Sequence, residues 1–179
     1  MFSGNRSINL IIIKPGDDKK AGDNIQSRAN EELKCDYVVP ANVNIYDLIS
    51  KHMINNNLDG ILVDEAQFLA PHQVDELSDI VDNFEIPVMC YGLRADFQSH
   101  LFLGSERLFE IADVLEELKA VCKCGAKATY NLRLDKNKET GEYLPVFEGP
   151  QVAIDGIDSD YDSVCRPCYK KLKRNYYKK

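Results

Sequence analysis

Apolar residues in this chain gather in short runs, and helically spaced segments separate them. SINLIIIKPGDD, residues 7 to 18, is nearly unbroken apolar sequence stopped by Pro15-Gly16 and two aspartates, which predicts a strand buried on both faces. The following DKKAGDNIQSRANEELKCD is polar and aperiodic and reads as a surface loop, up to a second short strand in YVVPA, residues 37 to 41. NIYDLISKHMI places Ile45, Leu48, Ile49 and Ile54 near helical spacing, with Asn44 as the N-cap. GILVDEAQFL, residues 60 to 69, opens as another strand. PHQVDELSDIVDNF then repeats the helical pattern through Val74, Leu77, Ile80 and Val81, with Pro71 in the first turn, where proline is tolerated. EIPVMCYGL (85–93) predicts a strand, and SERLFEIADVLEELKAV (105–121) a helix or broken helix. Strands apolar on both faces and alternating with helices predict an α/β fold with a mainly parallel sheet covered on both sides.

The pattern changes near residue 121. ATYNLRL and YLPVFEG read as strands of a hairpin around the turn-like KNKETGEY, and the chain closes on the basic, aromatic KKLKRNYYKK, read as a solvated end. The pattern therefore predicts a domain over 1–120 and a smaller one over 121–179. A length of 179 residues suits one full core with a small satellite.

Charge narrows the function classes. With 22 basic against 29 acidic residues and a net charge of −7, the chain does not read as a protein that neutralises a phosphate backbone, so no nucleic-acid partner is expected. No apolar stretch approaches the roughly 20 residues of a membrane helix, and no basic-then-apolar leader opens the chain. The expectation is a cytoplasmic protein with no membrane partner.

Six cysteines without a secretion signal argue for thiols rather than a disulfide framework. Cys35 and Cys90 are isolated. VCKCGAK and VCRPCYK instead pair Cys122 with Cys124 and Cys165 with Cys168, two knuckles whose four thiolates suit tetrahedral zinc at about 2.3 Å per bond. Gly125 and Pro167 fit the tight turns this requires. Four protein ligands leave no open position, so such a zinc is structural.

The apolar run 60–63 ends in two adjacent acids, Asp64 and Glu65. An apolar strand ending in Asp-Glu is the Walker B pattern of phosphoryl-transfer proteins, in which the first acid holds Mg²⁺ through water and its neighbour acts on the nucleophile. Alone, the pair fits equally well an ordinary loop start with a helix-capping acid.

VDEAQFL, PVMCYGLRADF, KAVCKCGAKAT and the run from Val152 through Tyr161 to SVCRPC, in that order, closely resemble the type II (cytosolic-type) thymidine kinases, from residue 7 to the end. The resemblance implies a RecA-like P-loop domain, a zinc-binding lasso domain, ATP with Mg²⁺ as donor, thymidine as acceptor, and a homotetramer inhibited by thymidine triphosphate. It implies that Glu65 is the general base for the thymidine 5′-hydroxyl and that Asp64 organises the Mg²⁺ shell. Phe68 packs beside thymine on this reading, although plain core packing also fits it. Tyr161 covers the base, although a surface tyrosine also fits. The segment holding Val152, Ile154 and Gly156 recognises the pyrimidine edge through backbone groups.

The front end departs from the family pattern. MFSG is present, with Ser3 and Gly4 in the phosphate-binding region, but Asn5 and Arg6 stand where that pattern has Lys and Ser/Thr. Few residues separate Gly4 from the strand INLIII, where the family has a helix, so the P-loop region reads as incomplete. Loss of a central strand and its helix would leave apolar surface uncovered, which favours a missing segment over true loss. KPGDDKK resembles the family's K-P-x-x-D-x-R, placing Asp18 near metal and phosphate and Lys20 where Arg is common, and Ser27-Arg28 match its S-[RH]. Two other classes stay open. One is a nucleic-acid-dependent ATPase, opposed by the charge and the cysteine pairs. The other is a catalytically impaired, zinc-bearing pseudoenzyme or binding module of the same fold.

Overall fold

In the computed structural model of the chain, the described residues are 8–16, 24–26, 32–152 and 158–178. The apolar run at the start forms β1 (Leu10–Pro15), whose inward side chains Ile11 and Ile13 are fully buried. Tyr37–Val39 is β4 and Gly60–Val63 is β5, and both pair with β1 in parallel. Val88–Cys90, β6, pairs in parallel with β5 and completes a sheet of order β4-β1-β5-β6. The mainly parallel sheet expected from runs apolar on both faces is present. Between β1 and β4, the segment read as a loop holds a short antiparallel pairing of β2 (Asn24–Gln26) with β3 (Glu32–Lys34). Strands of three residues are too short to give a period that the sequence could show.

Helix α1 (Ile45–Met53) is capped as predicted, with Asn44 Oδ1 accepting from the Asp47 N–H at 2.7 Å. Glu76 on α2 (Pro71–Phe84) adds a tertiary cap by accepting from the Ile45 N–H at 2.6 Å and from Asn44 Nδ2 at 2.9 Å. The buried Gln73 accepts from the Ala70 N–H and donates to the Pro40 and Val43 carbonyls, fastening the start of α2 to the loop that precedes α1. Both helices bury one face in a core of Ile11, Ile13, Ile45, Ile49, Ile61, Val63, Val74, Leu77 and Ile80.

Two predicted elements are shorter than expected. The strand read over 85–93 is confined to 88–90, and the helix read over 105–121 is α3, Leu103–Ile111. Val114, Leu115 and Leu118 lie beyond the helix, at 74%, 57% and 77% exposure. Their spacing is helical, but an amphipathic face draws most of its helical stability from packing, and this face has none among the described residues.

The chain divides into two compact units, one of residues up to Arg94 with Phe102–Asp113, the other of Ala95–Leu101 with Val114 onward. The sequence pattern set the boundary at 120. In the structure, 95–101 goes with the second unit: Asn131 Nδ2 donates to the Ala95 carbonyl at 2.7 Å, and the buried Tyr169 hydroxyl to that of Phe97 at 2.6 Å. The second unit contains the hairpin β7 (Ala120–Val121) with β8 (Lys127–Ala128). It also contains an antiparallel sheet of order β10-β9-β11, with β9 at Tyr130–Lys136, β10 at Tyr143–Val146 and β11 at Ser159–Val164. The hairpin of β9 and β10 is the one the sequence predicted; β11 was not.

The basic tail is not a loose end. Arg166–Tyr176 forms α4, which buries Tyr169 and packs Cys168, Leu172 and Tyr176 against a core of Leu132, Phe147 and Val164. Among the described residues no helix is long and apolar enough to cross a membrane.

Candidate active site and metal centre

β5 delivers its two acids to the C-terminal edge of the parallel sheet. The Asp64 N–H still follows the ladder, donating to the Ile13 carbonyl at 3.0 Å. At Glu65 the chain turns into the left-handed region, φ 51° and ψ 36°, and a short 3₁₀ turn over Ala66–Phe68 follows. Neighbouring side chains on an extended strand face opposite ways, so this turn is what allows two consecutive carboxylates to serve one end of the sheet. Both are half-buried.

The turn is held from several sides. The Ala66 N–H donates to the Tyr91 carbonyl at 2.9 Å, and Phe68 meets Phe102 edge-on at 5.5 Å between ring centroids. Gln67, only 2% exposed, donates through Nε2 to Glu65 Oε2 at 2.5 Å and accepts from the Leu93 N–H at 3.0 Å. Gly104 on α3 lies against the turn so closely that a Cβ there would come within 2.6 Å of the Ala66 carbonyl oxygen and 2.7 Å of that of Leu69. Glycine is required at that contact.

Lys14 sits at the end of β1, where Ile13 pairs with Val63, so it is level with Asp64 in the sheet. It is 1% exposed, and an ammonium is seldom buried so deeply without a partner. In the sequence Gln67 and Lys14 stand inside the quoted VDEAQFL and KPGDDKK, but neither was given a role of its own. The available signal was a polar residue inside otherwise apolar sequence, AQFL and IIIK.

In the second unit, Cys122, Cys124, Cys165 and Cys168 bring their sulfurs within 4.8 Å of one another, with Cys124 and Cys165 at 3.6 Å. Bonds of about 2.3 Å at tetrahedral angles put sulfurs about 3.8 Å apart, so the cluster has the size of a four-thiolate metal site. The two knuckles are built differently. Cys122 and Cys124 both lie in the turn between β7 and β8, closed by the Gly125 N–H on the Cys122 carbonyl and by Gly125 itself at φ +88°. Cys165 is the N-cap of α4 and Cys168 lies in its first turn. Backbone donation from Cys124 and Cys165 lowers the Cys122 thiol to about 6, while hydrogen bonding with the sulfurs of Cys165, Cys124 and Cys122 pushes Cys168 up to about 12. The cluster thus contains one ready thiolate and protons that a cation would displace. The other two cysteines, Cys35 and Cys90, are likewise thiols rather than half-cystines, and burial pushes Cys90 up to about 12.

Tyr161 lies on β11 directly across from Arg133 on β9 and is half-buried, its phenol raised by that burial. Arg133, 2% exposed, pairs with both Asp135 oxygens at 2.7 and 3.0 Å and stacks over Phe97. Ser159 Oγ donates to the same Asp135 at 2.7 Å, tying β11 to the buried pair. Val152 is exposed, as is Arg94. Ser3, Gly4, Asn5, Arg6, Asp18, Lys20, Ser27, Arg28, Ile154 and Gly156 lie outside the described residues.

The family model described as thymidine kinase matches residues 3–169. The thymidine kinase of Haemophilus influenzae (strain ATCC 51907) is 48% identical over 135 residues, which cover 75% of this chain and 67% of that protein. The thymidine kinase of Zymomonas mobilis is 50% identical over 122 residues, 68% of this chain and 60% of the relative. That of Shewanella oneidensis is 42% identical over 168 residues, covering 93% and 84%. By a family model spanning most of its length and by relatives of this identity, the chain belongs to the thymidine kinase family.

Proposed function

We propose that the chain transfers the γ-phosphoryl group of ATP to the 5′-hydroxyl of thymidine, forming thymidine monophosphate for DNA synthesis. The observation that carries this is the left-handed turn at Glu65, which ends a buried parallel strand in two carboxylates within a chain of this family. Open α/β sheets collect ligands at that edge. Asp64, nearer the strand, holds the water shell of the Mg²⁺ that accompanies ATP. Glu65 takes the proton of the 5′-hydroxyl as that oxygen bonds to the γ-phosphorus and the bond from phosphorus to the β–γ bridging oxygen breaks. Such a transfer depends chiefly on positioning, and a placed base contributes ~10²–10⁴-fold.

The remaining roles follow the family pattern. The nucleotide domain is RecA-like, with Ser3, Gly4, Asp18 and Lys20 in the ATP phosphate region. Phe68 packs beside thymine. Val152, Ile154 and Gly156 belong to the segment that reads the pyrimidine edge, and Tyr161 covers the base. Cys122, Cys124, Cys165 and Cys168 hold a structural zinc, whose contribution when bound is to join the two knuckles. The protein works as a cytoplasmic homotetramer and is inhibited by thymidine triphosphate.

The test is Glu65→Gln. We expect kcat to fall by about 10²–10⁴-fold with thymidine KM nearly unchanged; full kcat would return the acids to a capping role. A second reading, an impaired kinase-like binding module, is favoured by Asn5 and Arg6 in place of Lys and Ser/Thr. It requires thymidine binding without phosphoryl transfer by the unsubstituted chain.

A further inference from the structure

Gln67 is buried beside the proposed base, and a buried amide needs partners at both ends. Its orientation is fixed by chemistry. The Leu93 N–H can only donate, so Gln67 Oε1 must face it, at 3.0 Å, and Nε2 must face Glu65 Oε2, at 2.5 Å. Two glycines also lie close against this residue. A Cβ at Gly92 would lie 2.6 Å from Gln67 Oε1 and 3.0 Å from its backbone nitrogen, and one at Gly104 would lie 2.8 Å from its carbonyl oxygen. Glycine at both positions lets two segments close on Gln67, so that the side chain bridges a rigid backbone donor and the carboxylate.

We propose that Gln67 is a positioning residue for phosphoryl transfer. It fixes the Glu65 carboxylate, the group that takes the 5′-hydroxyl proton, in one orientation and favours its ionised form by donating a hydrogen bond to it. The inference rests on the reading of Glu65 as base. It adds that the base works because a neutral donor, locked two residues along the same turn, both aims and charges it.

The test uses the full chain with ATP and thymidine, comparing Gln67→Glu and Gln67→Met with Glu65→Gln. Gln67→Glu sets a second carboxylate against the base, and two such groups at hydrogen-bond distance do not both ionise. The acid limb of the pH profile of kcat/KM should therefore move upward by about one pH unit or more. Gln67→Met keeps the volume but removes both bonds, and should lower kcat about 10- to 100-fold while sparing thymidine KM. An element that only stabilises the fold would not move the acid limb, so the Gln67→Glu profile decides the matter where Gln67→Met lowers the unfolding midpoint. An unmoved limb with Glu65→Gln inactive overturns the role of Gln67 and leaves Glu65 as base. Full activity in Glu65→Gln, or no transfer by the unsubstituted chain, overturns both.

Discussion

Tyr161 shows how a single side chain depends on what is buried beneath it. Across the ladder from it, a guanidinium almost without solvent contact is neutralised by Asp135, and Ser159 is tied to the same carboxylate two residues before the tyrosine. The strand carrying the proposed base cover is therefore anchored by a charge-assisted network rather than by apolar packing alone. If Tyr161 covers thymine, Tyr161→Ala should raise thymidine KM by about tenfold or more, since a base–aromatic stack contributes about 1–3 kcal/mol. Tyr161→Phe, which keeps the ring, should stay near the parent value. Steady-state kinetics at varied thymidine decides it, and an unchanged KM in the alanine variant removes Tyr161 from the base site.

At the scale of elements, α1 is fixed by two side chains of different origin, its own Asn44 and Glu76 from α2. Asn44→Ala removes the local cap and one hydrogen bond to Glu76, and should cost about 1 kcal/mol. For a chain of this size that is a fall of about 2–4 °C in Tm, measurable by calorimetry; no shift would show that Glu76 alone suffices. These caps also mark what the sequence made legible. Asn44, Pro71 and the Ile/Val/Leu runs state their elements locally, and so do the two knuckles, because capping, proline geometry and ligand spacing act over a few residues. Elsewhere tertiary context decides. β11, SDYDSV, is a polar strand at the sheet edge with no apolar alternation to read. In α4, Tyr169, Leu172 and Tyr176 do fall at helical spacing, but the surrounding lysines led to a solvated tail. VLEELK shows the reverse error, with helical spacing and nothing to pack against. At the site, the Asp64-Glu65 pair was visible, but Gln67 was not, because its importance lies in a bond to Leu93, 26 residues away.

At the scale of the whole molecule, the second unit brings together two knuckles 41 residues apart in sequence, Cys124 to Cys165. A small core of Leu132, Phe147, Val164 and Tyr169 backs them, and a shared zinc would link them directly. Purified protein should contain close to one zinc per chain by metal analysis, and well under one would refute the site. The pH dependence has a definite sign. The Cys122 thiol is depressed to about 6, so its contribution is complete above the ordinary thiol range and is lost as pH falls through about 6. Protons then compete with the metal, and zinc should pass to a chelator sharply more readily below about pH 6 than at pH 8.

Whether these residues transfer phosphate is read from the passage of label from γ-³²P-ATP to thymidine by the unsubstituted chain with Mg²⁺, beside Glu65→Gln. We expect labelled thymidine monophosphate that depends on thymidine and nearly disappears in the variant. Thymidine binding with no labelled product, or equal product from both proteins, would contradict it.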